Sequence, residues 1–156
     1  MPSDYRSIPP VRQFDETSCW AAALEWWARA AGRTVIDQLT LISKYERYWD
    51  SSGDPDTNPN YGTVSRENLM LIMKDACWRM ACQEVRGVSL NGQYLSGKLP
   101  CILAYFEGEV GGYHAVVAFK VGDTAVSCMD PSMGAFRDFR YGRFQRSNSI
   151  IAGWPK

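Results

Sequence analysis

The chain has 156 residues, 46% of them apolar, and its 17 basic and 17 acidic side chains cancel to a formal net charge of zero. A chain this long hides about 70% of its unfolded surface in a single fold, so residues 1–156 are expected to form one domain. Neutrality argues against bulk nucleic-acid binding, no apolar run reaches the length of a membrane span, and Met1-Pro2-Ser3-Asp4-Tyr5-Arg6 lacks the basic and apolar regions of a secretory signal.

In chain order, Gln13 precedes a polar turn, Asp15-Glu16-Thr17-Ser18, which gives way at Cys19 to an Ala/Trp-rich run. Periodicity predicts a helix over residues 19–31, stopped by Gly32, with Cys19, Ala22, Ala23, Trp26 and Ala30 on one face. Its small Ala side chains suit a central helix with close neighbours. A second helix is predicted over 35–48. A third starts at the N-cap Ser65 and runs through Leu69, Ile72, Met73, Ala76 and Met80. Between them, residues 50–62 are rich in Asp, Asn, Pro and Gly without an apolar period, and form a loop: either a solvated connector or one rim of a substrate cleft.

After Gly87 the period changes to that of strands, predicted at 101–106, 114–121, 125–129 and 136–141 in an antiparallel sheet. Helices over about 12–85 followed by strands over about 86–156 give an α+β domain with a helical lobe, a sheet lobe and a cleft between them. Gly108, Gly111 and Gly112 fit either an ordinary hairpin or a tight connection that delivers His114 to the start of its strand. Arg137, Arg140, Arg143 and Arg146 interleave with Phe136, Phe139, Tyr141 and Phe144. Such a strip resembles a single-strand binding surface, but balanced charge and β-like flanks favour Arg stems covering a sheet, or a protein docking surface.

The chemistry concentrates on Cys19. A thiol in the first turn of a helix sits at the positive end of the macrodipole, which favours the nucleophilic thiolate. His114 is the only histidine and hence the one imidazole able to act as base near neutral pH. Asp130, before Pro131, can orient that imidazole or simply form a turn. The Gln13 amide and the Cys19 N–H supply two donors for an oxyanion. Five cysteines is an odd count. Cys77, Cys82, Cys101 and Cys128 lie in apolar segments without ligand spacing and are expected to be buried, so neither disulfides, a metal nor a cofactor is expected. A reducing cytosol follows, either the producer's or that of a cell reached through a separate delivery machinery.

At these residues the chain resembles the papain-like cysteine peptidases, whose oxyanion Gln lies six residues before a Cys-Trp that opens the central helix. Gln13 and Cys19-Trp20 match that spacing. Tyr113-His114 leading one apolar strand and Asp130-Pro131 closing the next are similar to the small bacterial branch, which includes bacteriocin-processing peptidase domains and papain-like effectors. The resemblance spans about residues 11–135. It departs from papain in having Asp130 where Asn is usual and in lacking a Gly-Ser before Cys19.

The resemblance implies a papain-like fold and a cysteine endopeptidase acting on a protein substrate through Cys19, His114, Asp130 and Gln13. A deamidase or acyl transferase can use the same triad. An inactive binding module would not need all four residues, and a peptidoglycan amidase fits Gln13 less well. Few residues precede Gln13, too few for an inhibitory prosegment. A delivered effector or toxin domain is therefore expected, with a small inhibitor or immunity protein covering the cleft.

Overall fold

The Ala/Trp-rich run winds into α1 (Cys19–Ala30), and in the computed structural model, which describes residues 4–107 and 112–156, this helix is the centre of the molecule. Every residue from Trp20 to Ala28 is buried, so the single apolar face expected from periodicity extends around the whole helix. Two of its three indoles meet acceptors, Trp27 Nε1 donating to the Pro100 carbonyl (2.9 Å) and Trp26 Nε1 to that of Ile8 (3.3 Å), while Trp20 Nε1 is buried without a partner among the described residues. Truncating the Trp26 or Trp27 ring to Ala would cost about 3–5 kcal/mol.

α2 (Gln38–Lys44) is shorter than the predicted 35–48. Asp37 caps it by accepting from the Thr40 N–H, and a 3-10 turn at Glu46–Tyr48 follows. Ser65 caps α3 (Arg66–Met73) as expected, accepting from the Asn68 N–H. This helix stops at Met73 rather than continuing to Met80. Asp75 instead caps a 3-10 turn at Ala76–Trp78, and Arg79, at a left-handed φ of 48°, redirects the chain into β1 (Met80–Arg86).

The remaining elements are α4 (Gly92–Leu95), β2 (Cys101–Glu107), β3 (Gly112–Val121), β4 (Ala125–Asp130), β5 (Ala135–Arg140), α5 (Tyr141–Gln145) and β6 (Ser149–Pro155). They build a six-stranded antiparallel sheet in the order β1-β6-β2-β3-β4-β5. Two of its strands, β1 and β6, were not anticipated, and β1 draws on residues within the stretch expected to be helical. Of the predicted glycine connection, Gly112 opens β3, while Gly108 and Gly111 lie outside the described residues.

The two-residue period of the strands separates two cores. Ile102, Ala104, Ala115, Val117 and Phe119 pack with α1 on one side. Cys101, Leu103, Tyr105, Val116 and Ala118 pack with Leu95, Tyr141 and Phe144 on the other. Both faces are thus covered, whereas antiparallel sheets commonly leave one face wet. Gly153 permits one of the close approaches, because a Cβ there would collide with Met73 Cε and Met80 Sδ. The packing places the start of α1 beside the start of β3 and the end of β4.

Candidate active site

Cys19 is the first residue of α1, after Ser18. The Ser18 hydroxyl is turned back into the preceding turn, accepting from the Asp15 N–H (3.0 Å) and donating to the Asp15 carbonyl (3.2 Å). It makes no side-chain cap on the helix, and the first turn holds no acid. The first N–H groups of a helix have no acceptor within it, so this end keeps its positive character for an incoming oxygen.

His114 lies two residues into β3, its side chain mostly buried. Its Nε2 donates to Asp130 Oδ1 at 2.9 Å, which leaves Nδ1 as the remaining ring nitrogen, and Cys19 lines the same groove close enough to act on its titration. Burial opposes the imidazolium, but the bond to Asp130 and the neighbouring Cys19 and Asp130 side chains outweigh it, and the His114 pKa is pushed up to about 9. The buried Tyr105 packs edge-on against the imidazole, ring centres 6.1 Å apart.

Asp130, at the end of β4, is 1% exposed. Its Oδ1 accepts from His114, from the Ser132 N–H (3.0 Å) and from the Ser132 hydroxyl (2.8 Å), while Oδ2 pairs with Arg137 Nη1 (2.9 Å). Burial alone would raise its pKa. The bonds from His114 and Ser132 and the His114 charge reverse that and hold the carboxyl well below the usual range. Ser132 and Arg137 were missed in the sequence as site residues. Ser132 had a signal, since Asp side chains often accept from the N–H two residues on.

Gln13 lines the same groove as Cys19 and His114, with Asp130 buried behind His114. Its Nε2 donates to the Asp15 carbonyl at 2.8 Å, which uses one of its two hydrogens, and its Oε1 is buried without a partner among the described residues. Its backbone N–H donates to the Pro131 carbonyl (2.9 Å), tying it to the turn that follows Asp130.

The groove has a volume of about 650 Å³ and is lined by Cys19, His114 and Gln13 together with Pro59, Asn60 and Thr63. Residues 50–62 therefore contribute a wall of the cleft. The Trp49–Val64 bridge closes the base of this loop, and Gly62, at φ +89°, brings it against Thr17, two residues before Cys19. Arg66 also lines the groove, bonded to the hydroxyls of Tyr113 (3.3 Å) and Ser149 and paired with Glu84 (3.4 Å).

The Arg/aromatic strip is not a stacking surface: Phe139, Tyr141 and Phe144 are buried, and the guanidinium groups of Arg137 and Arg143 lie over the Phe139 ring. A separate groove of about 590 Å³ beside Arg140, Arg143 and Arg146 contains no thiol or imidazole. The expected burial of the other cysteines holds for Cys101 and Cys128. Cys82 is half-buried and Cys77 exposed, because Cys77 sits in the 3-10 turn rather than on a packed helix face. Among the described residues no group of three or more His, Cys, Asp and Glu side chains is placed to hold a metal ion, and no helix is long and apolar enough to cross a membrane.

No protein-family model and no curated protein matches the sequence. Solved structures match nearly the whole chain. The peptidase domain of Streptococcus ComA, a bifunctional ABC transporter involved in quorum sensing, aligns with a TM-score of 0.66 at 14% identity, covering 96% of this chain and 99% of that one. A structure described as a C39-like peptidase from Bacillus anthracis gives 0.59 at 14% identity, with 96% and 95% covered. A double-glycine-motif protease from an AMS/PCAT transporter, solved with its leader peptide, gives 0.50 at 16% identity, with 95% and 91% covered. The chain thus has the α+β fold of the papain-like C39 peptidase domains.

Proposed function

We propose that the chain is a cysteine peptidase cleaving a protein or peptide substrate, with Cys19 as nucleophile, His114 as acid and base, Asp130 as orienter of the imidazole, and Gln13 with the Cys19 N–H as oxyanion donors. The observation that carries it is the placing of Cys19 and His114 side by side in one groove, with the His114 imidazole bonded to the buried Asp130 behind it. At neutral pH the raised His114 pKa keeps a proton on the imidazole beside the sulfur. The thiolate attacks the scissile carbonyl carbon and the oxyanion is held by the two donors. The imidazolium then protonates the departing amine, leaving a thioester. Neutral imidazole next takes a proton from water, whose oxygen attacks the thioester and returns the sulfur as thiolate.

The structural neighbours named for peptidase activity and, in one case, for a double-glycine motif and a leader peptide support a peptide substrate. We take a Gly-Gly bond within a leader-like peptide as the first substrate to test. Wild type should release the fragments of an internally quenched Gly-Gly peptide and Cys19→Ala should not. Incubation with a proteome extends the test: new amino termini support a peptidase, whereas side-chain deamidation without chain cleavage supports the alternative use of the triad.

The delivered effector or toxin role is proposed from the sequence. Its inhibitor would cover the groove between Cys19 and His114, with the exposed rings of Phe14 and Tyr113 as anchors. Cytosolic expression of wild type should then slow bacterial growth while Cys19→Ala does not. Harmless expression of an active enzyme in several hosts would contradict a broad antibacterial toxin.

A further inference from the structure

Residues 12–14 belong to no helix or strand, yet they carry the side chain proposed as the oxyanion donor. Gln38, at the start of α2, grips them from one side: its Nε2 donates to the Arg12 carbonyl (2.7 Å) and its Oε1 accepts from the Phe14 N–H (2.9 Å). In an extended chain the carbonyl of one residue and the N–H two residues later point the same way, and those of the residue between point the opposite way. One primary amide can therefore take the place of a neighbouring strand. Gln13, the residue between, sends its N–H the other way, to the Pro131 carbonyl (2.9 Å).

Gln38 is itself anchored. Its backbone N–H donates to Glu25 Oε1 at 2.7 Å, and Glu25, 8% exposed on α1, turns its other oxygen toward Arg29 (3.5 Å). A buried carboxylate on the helix that carries Cys19 thus fixes the residue that fixes the Gln13 backbone. The Gln13 side chain has only its bond to the Asp15 carbonyl, so its position follows from where its backbone is held.

We infer that Gln38 is a positioning residue for the oxyanion donor Gln13, acting through the backbone of Arg12 and Phe14 and oriented by Glu25. The inference rests on the oxyanion role proposed above for Gln13.

The test compares wild type, Gln38→Ala, Gln38→Glu, Gln13→Ala and the Gln13→Ala/Gln38→Ala double variant on the quenched Gly-Gly peptide. It adds the alkylation rate of Cys19 by iodoacetamide and the exchange rate of the Phe14 amide. Gln38→Ala should lower kcat about 10- to 100-fold, the scale expected when a reacting group is displaced by about 1 Å, with little change in KM. Alkylation of Cys19 should stay near the wild-type rate, because that displacement develops no oxyanion. The double variant should be no slower than Gln13→Ala alone. Gln38→Glu keeps an acceptor for Phe14 but offers no donor to Arg12, and should fall between wild type and Gln38→Ala.

Wild-type turnover in Gln38→Ala, losses that multiply in the double variant, or alkylation that slows in step with turnover would each overturn the inference. Full turnover in Gln13→Ala would also overturn it, while an inactive Cys19→Ala would leave the peptidase proposal standing. If wild type does not cleave the peptide, the peptidase proposal loses its support for this substrate and the Phe14 amide decides the clamp. Faster exchange in Gln38→Ala supports it, and unchanged protection overturns it.

Discussion

Asp130 and Gln13 flank the thiol–imidazole pair and are held in opposite ways. The Asp130 carboxylate is saturated by His114, Ser132 and Arg137, so its position is fixed by its own side-chain bonds. The Gln13 amide has one bond and an unpartnered oxygen, while its backbone segment is bonded to Gln38 and Pro131. A group that must stay charged out of water needs every lone pair satisfied. As the proposed oxyanion donor, Gln13 has one amide hydrogen uncommitted and draws its position from the main chain. Neighbours of Asp130 therefore act on charge, and neighbours of Gln13 act on position.

The largest effect should come from the group both sides serve. His114→Ala should lose at least about a thousandfold in kcat with unchanged circular dichroism, since removing one member of a catalytic triad costs nearly as much as removing all of them. Retention of a tenth of the wild-type rate would contradict the base assignment. On the Gln13 side, Gln13→Ala should lose about 100- to 1000-fold in turnover without unfolding, and near wild-type turnover would remove it from the oxyanion hole.

On the Asp130 side, Asp130→Asn should retain more activity than His114→Ala, because its amide oxygen still accepts from imidazole. The amide nitrogen then confronts the Arg137 guanidinium, donor against donor, so this variant should also unfold at lower temperature. Unchanged activity in both Asp130→Asn and Asp130→Ala would take Asp130 out of the triad. Arg137→Gln should show the smallest effect, about 1 kcal/mol or less of stability, because Arg137 is partly exposed and solvent screens the pair.

The same contrast has a pH signature. The folded pKa of His114, about 9, lies above its ordinary 6.5, so its contribution to stability is complete below 6.5 and is lost as pH rises through about 9. Asp130 has a lowered pKa, so its contribution is complete above the ordinary carboxylate value of 3.8 and is lost as pH falls through its folded pKa. Denaturant titrations should show His114→Ala removing the alkaline loss and shrinking the acid one to the part that the Ser132 bonds sustain. An alkaline limb unaltered by His114→Ala would contradict the assignment.

The parts of the fold legible in the sequence were those with an undisturbed period. α1 and the strands β2, β3, β4 and β5 were read within a residue or two of their places. β1 begins on Met80, which continues the helical spacing of Met73 and Ala76, and it carries Gln83-Glu84 on an edge strand; the 3-10 turn at Ala76–Trp78 and the left-handed Arg79 separate it from α3. β6 is interrupted by Gly153 and closes on Pro155, both of which read as punctuation, although Gly153 is there to admit two methionines. In the candidate site, Cys19, His114, Asp130 and Gln13 were singled out from the sequence because each answers a separate chemical need, and the structure brings them together. Arg137, Gln38 and Glu25 were not, since their partnerships arise only when β5 folds back on β4 and α2 packs on α1.

Selective alkylation of Cys19 tests the central claim, a thiol activated by His114, most directly, because Cys77 is the more exposed competitor. Burial raises the pKa of Cys77, reinforced by the Asp75 charge, and burial likewise raises that of Cys82. Access alone favours Cys77, whereas pairing with imidazolium favours Cys19. Brief treatment with iodoacetamide at neutral pH, followed by peptide mass spectrometry, should find Cys19 labelled first, with activity lost in proportion, and His114→Ala should abolish that preference. Faster labelling of Cys77, or full activity after Cys19 is labelled, would contradict the account.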